Sequence, residues 1–307
     1  MKTNETMNAG NNSLRWIALF VLCVAQFIVI MDTSIIGVAL PAIKADLGYT
    51  QSGLQWVFNA YVIAFGGFLL LGGKLSDIFG ARRIFVAGFT VLTFSSLFAG
   101  LAWSDLSLNV ARALQGLGSA LIAPAALTMV FGLFKEPKEL GRALGFWGAA
   151  AAAGGSAGVF LGGVITEWVS WQWIFFINIP IGLLVLLASP RYLPRGVKRK
   201  GLVDVIGAVL ATLSLMFTVY AIVTAERNGW TSFTTMGLLL GSIVLIILFI
   251  GIQKKKEHPL LPMSIFKTPN LSAGNVVMAL LAGAWIPLWF YLNLYLQQIL
   301  GYSAFHS

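Results

Sequence analysis

Two charged residues stand inside long apolar runs: Asp32, in MDTSIIGVALP, and Arg112, in ARALQGLGSALIAP. A charge at the centre of a membrane helix costs about 2.5–3.5 kcal/mol on insertion scales. The interiors of the other apolar runs are essentially free of charge, so these two need a reason. One reading is functional: they face a water-filled cavity, where Asp32 exchanges protons as the cavity opens to either side, or meets a cationic substrate. The other is structural: they pair inside the protein, or each reaches an interface along its own stem.

A second constellation is the polar break GGKLSDIFGARR, Gly72 to Arg83. Gly72, Gly73 and Gly80 permit a tight turn and close approach of backbones. Asp77 favours the start of a following helix through its dipole. Arg82 and Arg83 mark a cytoplasmic loop. A third is the run GFWGAAAAAGGSAGVFLGG, where Gly154, Gly158 and Gly162 recur every four residues and Gly163 follows. Such a face lets two helix backbones come close, as a seal or as a pivot.

These residues need elements to hold them. Hydrophobic residues make up 58% of the 307 and charged residues 10%, against about 25% charged in a soluble domain. Mean hydropathy is +0.85. This is an integral membrane composition. A bilayer core takes roughly 20 apolar residues as helix, and the runs 16–40, 52–72, 84–103, 107–133, 140–165, 172–189, 203–224, 233–252 and 271–299 qualify. The first is too long for a signal-peptide core. With the N-terminus in the cytoplasm, every Lys and Arg falls inside except Lys44, Arg227 and the intrahelical Arg112. That asymmetry orients the chain. It also accounts for the net charge of +9 without a nucleic acid, since the basic loops face an anionic leaflet.

The expected order is a cytoplasmic tail (1–15), a six-helix bundle (16–190), a basic linker (191–202) opened by Pro190 and Pro194, two further helices (203–252), a basic loop (253–270) and the start of a second bundle (271–307). GGKLSD at Gly72 and GGVITE at Gly162 end the second and fifth runs, with Asp77 and Glu167 at the same offset. That is the trace of an inverted three-helix repeat, a transporter architecture. The fold class is therefore all-α and membrane-embedded.

The chain resembles the major facilitator superfamily, and within it the fourteen-helix drug:proton antiporters. GGKLSDIFGARR is similar to the family's loop between helices two and three. MDTSIIGVALP resembles the first-helix motif, and ARALQGLGSA the fourth-helix motif. GSAGVFLGG lies where antiporters carry a fifth-helix Gly-Pro motif, and WQWIFFINIPIG resembles the start of the sixth helix. The resemblance implies proton coupling through Asp32 and Arg112. It implies a cytoplasmic gating loop of Gly73, Asp77, Gly80, Arg82 and Arg83, and an antiporter helix bearing Gly154, Gly158, Gly162 and Gly163. Departures are Ile78 and Ala81 for common basic residues, Gln172 for Arg, and Val159 for the motif's Pro. Against a fourteen-helix member the chain is expected to be truncated after the ninth helix.

Gln26, Asn59, Gln115, Trp285, Trp289 and Asn293 are candidates to line a substrate cavity, and Trp56, Tyr61, Trp147 and Tyr291 add aromatic surface for cations. His258 and His306 have no metal-ligand spacing, and Cys23 is the one cysteine. No phosphate loop or nucleophile–base pair is present, so no cofactor, metal or enzymatic reaction is expected. The expected partners are a small-molecule substrate, protons and the bilayer. The leading expectation is proton-coupled efflux of amphipathic or cationic drugs from a multi-pass position in the cell membrane. The alternatives are export of one endogenous metabolite or antibiotic, and a non-transporting fragment.

Overall fold

In lipid no water is available to backbone amides, so each apolar run must close its hydrogen bonds within itself. The computed structural model describes residues 2–194, 204–257, 259–300 and 302. The side chains of residues 2–12 and those of Trp285, Trp289, Tyr291 and Asn293 lie outside the described residues, as do His258, His306 and most of the basic linker. Helices α1 (Lys2–Leu47), α2 (Gln51–Phe79), α3 (Ala81–Gly100), α4 (Asp105–Leu133) and α5 (Pro137–Trp168) are continuous. The sixth span is split into α6 (Trp173–Phe176) and α7 (Asn178–Tyr192). Then come α8 (Val205–Asn228), α9 (Phe233–Lys255), a 3-10 turn at Met263–Lys267 and α10 (Leu271–Leu294). Among the described residues there is no strand, and 8 helical spans are long and apolar enough to cross a membrane. The ninth expected span is helical as α10, with Leu271–Ala284 its described apolar stretch.

Local chemistry sets the ends. Thr50 caps α2 by accepting from the Gly53 amide at 3.0 Å. Ser104 and Ser107 cap α4 reciprocally. Gly80 joins α2 to α3 at φ 93°, a left-handed conformation that favours glycine. Three expectations change here. Gly72 and Gly73 lie inside α2 and not in the turn, and Asp77 sits exposed in the last turns of α2, so it does not cap α3. Pro190 lies within α7, which ends two residues later at Tyr192. At the N-terminus, α1 absorbs the polar tail and passes through Pro41 to Leu47, losing only the bond that Pro41 cannot donate.

Part of the packing follows the short repeat. Map α1 onto α4, α2 onto α5 and α3 onto the sixth span. The long seam α1·α5 then becomes α4·α2, which is also long, and α3·α7 maps onto itself, whereas the long seam α3·α4 maps onto the slighter contact of α1 with the sixth span. The two repeat glycines do equivalent work. A Cβ on Gly72 would strike the Ala120 carbonyl of α4, and one on Gly162 would stand 2.8 Å from the Ile35 carbonyl of α1. Gly154 and Gly158 continue the α1 seam, and Gly163 is buried beside it. Val159 leaves α5 unbroken.

Contacts between helix ends respect the expected sidedness. Arg15 at the start of α1 binds Glu139 at the start of α5 through both carboxylate oxygens, at 2.8 and 2.5 Å. On the opposite face, Trp171 Nε1 donates to Asp46 at 2.8 Å. There Tyr49 donates to the Asp105 carbonyl at 2.7 Å. Burial first, and then the Asp105 charge, push the Tyr49 hydroxyl up, which keeps it a donor.

The glycine seams give a direct check. Gly154→Ala places a methyl 2.5 Å from the Phe27 carbonyl; it is expected to cost about 1–3 kcal/mol in thermal unfolding of the detergent-solubilised protein. Gly141→Ala, in open space on the same helix, is expected to be neutral or to gain up to about 1 kcal/mol.

Candidate functional site

Asp32 and Arg112 meet. Arg112 Nη1 donates to Asp32 Oδ2 at 2.7 Å, and both side chains are 0% exposed. Arg112 also donates from Nε to the Val57 carbonyl of α2 at 3.0 Å and from Nη1 to Gln115 Oε1 at 2.8 Å. Its guanidinium lies 4.6 Å from the centre of the Tyr61 ring, a contact worth about 2 kcal/mol when desolvated. The other carboxylate oxygen, Asp32 Oδ1, accepts from Gln115 Nε2 at 3.0 Å and from Asn178 Nδ2 at 2.7 Å. Both amides also reach Ser96 Oγ of α3, at 2.8 and 3.4 Å.

One carboxylate thus ties together α1, α3, α4 and α7, and through Arg112 it reaches α2. The polar group lies between two apolar cores. Leu22, Ile28, Phe85, Phe89 and Phe134 belong to one, while Ile36, Ile43, Val57, Trp171 and Phe175 belong to the other. Of the two readings open in the sequence, the described conformation shows internal pairing: Asp32 and Arg112 face each other and no open cavity. Removing one partner of such a pair strands the other charge, at a cost of about 3–5 kcal/mol.

Gln115, expected in a substrate cavity, is instead a partner of both charges. Asn178 and Ser96 belong to the site and were not among its expected members, whereas Tyr61, expected as aromatic surface for a cation, lies against the Arg112 guanidinium. Asn178 had a signal, as an amide in the otherwise apolar FINIPIG. Ser96 had none, because a helical serine usually bonds its own backbone; the adjacent Ser95 does so, donating to the Val91 carbonyl at 2.7 Å. Gln26 and Asn59 are half-buried and supply none of the bonds to Asp32 or Arg112. Trp56 packs 5.6 Å from the Tyr220 ring of α8, and Trp147 packs on the core, so neither supports the cavity expected of them.

At the cytoplasmic end, Arg82 Nη1 donates to the Pro190 and Leu193 carbonyls, each at 3.1 Å. It closes the end of α7, where carbonyls lack helical partners. Arg83 and Asp77 are exposed. Gly73, Lys74 and Asp77 line an open groove of about 520 Å³ with Pro124, Glu257, Pro259, Leu260 and Pro262. Lys74 Nζ donates to the Pro259 carbonyl at 3.3 Å. The segment after α9 is held in turn by Asp204. Gln253 Nε2 donates to this buried carboxylate at 2.6 Å, the Gly207 amide donates at 2.8 Å, and Lys256 forms an ion pair with it. Gln253 Oε1 accepts from the Leu261 amide at 3.1 Å. Burial works to raise the Asp204 carboxyl, but the bonds from Lys256, Gln253 and Gly207 outweigh it and hold the carboxyl below its ordinary value. No group of residues among those described can hold a metal ion.

Comparison with known proteins places this geometry. Residues 22–307 match the model of the Major Facilitator Superfamily. The cephamycin export protein CmcT of Amycolatopsis lactamdurans is 41% identical over 98% of this chain and 63% of its own length. The puromycin resistance protein pur8 of Streptomyces alboniger is 38% identical over 96% of this chain and 58% of its own length. The chain thus spans less than two thirds of each of these relatives. Among solved structures, the POT family transporter PepTSo superposes with a TM-score of 0.55 at 17% identity, over 76% of this chain and 52% of that one, a likeness of fold.

The Asp204 latch makes a pH prediction. A carboxyl whose folded value is depressed stabilises the fold above its unfolded value of about 4 and loses that contribution as pH falls through the folded value. Protection of the Leu261 amide from hydrogen exchange is expected to be high at neutral pH and to fall about tenfold below the carboxylate range. In Asp204→Asn it is expected to be low at neutral pH already.

Proposed function

The chain belongs to the Major Facilitator Superfamily, and from that premise we propose that it is a secondary active exporter of the fourteen-helix drug:proton antiporter group, moving small amphipathic or cationic compounds outward against inward protons. The observation that carries the reading is the buried Asp32–Arg112 pair. An ionisable pair at membrane depth is costly, and such pairs mark ion pathways and proton relays. In this reading Asp32 takes the proton on Oδ1, the oxygen that faces Asn178, while Oδ2 stays towards Arg112. The acid so formed is neutral, and its hold on the guanidinium weakens. Arg112 keeps its charge and its bonds to Val57 and Gln115. The residues 16–190 form the bundle that carries this site, 203–252 supply two added helices, and 271–307 open the second bundle. The groove beside Gly73 and Asp77 is the cytoplasmic gate, with Gly80 as its turn and Arg82 and Arg83 as its basic rim.

A narrower reading, export of a single antibiotic, is supported by relatives whose names specify one compound each, cephamycin and puromycin.

Inside-out vesicles with an imposed pH gradient test both. The chain is expected to accumulate ethidium when the gradient is present, and Asp32→Asn, compared at equal inserted amounts, is expected to lose that accumulation. Accumulation of puromycin or a cephamycin without ethidium selects the narrower reading. Full activity in Asp32→Asn sinks the assignment of Asp32 as the proton carrier.

A further inference from the structure

We infer that Asn178 is the positioning residue that reads the protonation state of Asp32 and passes it to the break in the sixth span. The inference rests on the proton-coupled reading above and extends it to a residue outside the charged pair.

Asn178 differs from the other partners of the carboxylate in where it sits. It is the first residue of α7, immediately after the interruption at Ile177. The interruption has a local cause. Pro180 has no amide hydrogen to give to the Phe176 carbonyl, so the helical bond across this point cannot form. Ile177 keeps helical dihedrals, φ −59° and ψ −28°, so the interruption is a missing hydrogen bond in a helical backbone; such gaps at membrane depth are tolerated where protein buries them, as Ile174, Phe175 and Asn178 are. The bond from Asn178 Nδ2 to Asp32 Oδ1, at 2.7 Å, spans from the break to the carboxylate and is shorter than the bond from Gln115.

The amide has two ends, and only one is in use. Asn178 Nδ2 donates to Asp32, while Asn178 Oδ1 is buried with no partner among the described residues. An ionised carboxylate only accepts, so it selects the nitrogen. A protonated one also donates, and then it selects the oxygen. Adding one proton to Asp32 therefore favours turning the Asn178 amide over, so that Oδ1 accepts the new O–H. Gln115 cannot answer in the same way, because its Oε1 is already held by Arg112 at 2.8 Å. Arg112 Nη2, also buried without a partner, leaves the guanidinium unsaturated and free to adjust. The charged or titratable groups that face Asp32 are Arg112 from α4 and Tyr61 from α2, the latter beneath the guanidinium. Gln115, Ser96 and Asn178 are uncharged. The reorientation is thus driven by the carboxyl proton, and it is felt where Pro180 leaves the sixth span without a helical bond.

Spin labels on Trp173→Cys and Leu187→Cys, both exposed in the span, report the angle across Ile177 in a Cys23→Ser background. The protein is measured in lipid nanodiscs at high and low pH. The interlabel distance distribution is expected to shift with pH in the parent, and to stop shifting in Asp32→Asn and in Asn178→Leu, which keeps the branched shape and removes both amide functions. In parallel, the pH giving half-maximal ethidium transport is expected to move up by about one unit in Asn178→Leu, since a donor to the ionised carboxylate is lost. A purely packing role lowers transport equally at every pH and leaves the half-maximal pH in place, which overturns the inference. A distance distribution that is indifferent to pH in the parent overturns it as well, while gradient-driven transport by the parent leaves the proposed function standing. A pH-dependent shift without any gradient-driven transport removes the proposed function instead.

Discussion

The six-helix bundle is arranged around a carboxylate that this conformation buries completely. Asp32 and Arg112 are wholly buried and 2.7 Å apart, and each is tolerable only because of the other. Replacing a buried ion pair by well-packed apolar residues is often neutral or stabilising, whereas losing one partner is expensive. The pair is therefore poorly explained as a source of stability. Its surroundings fit a different purpose. Both carboxylate oxygens are occupied, and every donor comes from another helix. A change in the charge of one group is thus felt by α1, α3, α4 and α7 together.

Around this polar layer the packing is stiff. Apolar cores lie on either side of it. In lipid, close backbone approach supplies much of what the hydrophobic effect supplies in water, and the seams α1·α5 and α2·α4 are built for it. Gly154 and Gly162 admit the α1 backbone, while Gly72 and Gly116 admit each other's helices. These two seams correspond under the inverted repeat, so the bundle is locked along two similar lines. The discontinuity at Ile177 is the exception, and it lies next to a residue bonded to the carboxylate. A stiff frame whose interruption at Ile177 adjoins, among the described residues, the only ion pair with both side chains wholly buried concentrates the response to protonation there.

Much of this was legible from residue types. Asp32 and Arg112 stood out because charge is expensive in apolar runs, and the helix ends pair as the Lys and Arg asymmetry demands. Six residues in Gly72–Asp77 and their echo at Gly162 were enough to expose the repeat, because the glycines mark equivalent backbone contacts. What was not legible depended on register between distant helices. Gln115 looked like a cavity residue until α4 was rotated against α1. Ser96 is indistinguishable in sequence from Ser95, and only the facing helix decides which one looks inward. Asn178 lay within a motif already noted, but its aim at Asp32 depends on how the sixth span is turned against α1. The role first given to Asp77, at the head of α3, failed because Gly80 and not Asp77 forms the joint. The basic loop beyond α9 looked like a simple charged connector, yet it is fastened through Asp204 to α8 and through Lys74 to α2.

The central claim is that a single buried pair holds the bundle and also carries the coupling. A double-mutant cycle on thermal unfolding tests it most directly, using Asp32→Asn, Arg112→Gln and the two together in the detergent-solubilised chain. Each single substitution is expected to lose about 3–5 kcal/mol, and the double to recover most of that loss because no stranded charge remains. The same double variant, folded and inserted, is expected to show no gradient-driven transport. Losses that simply add would contradict the pairing, and a double variant that still transports against its gradient would contradict the coupling.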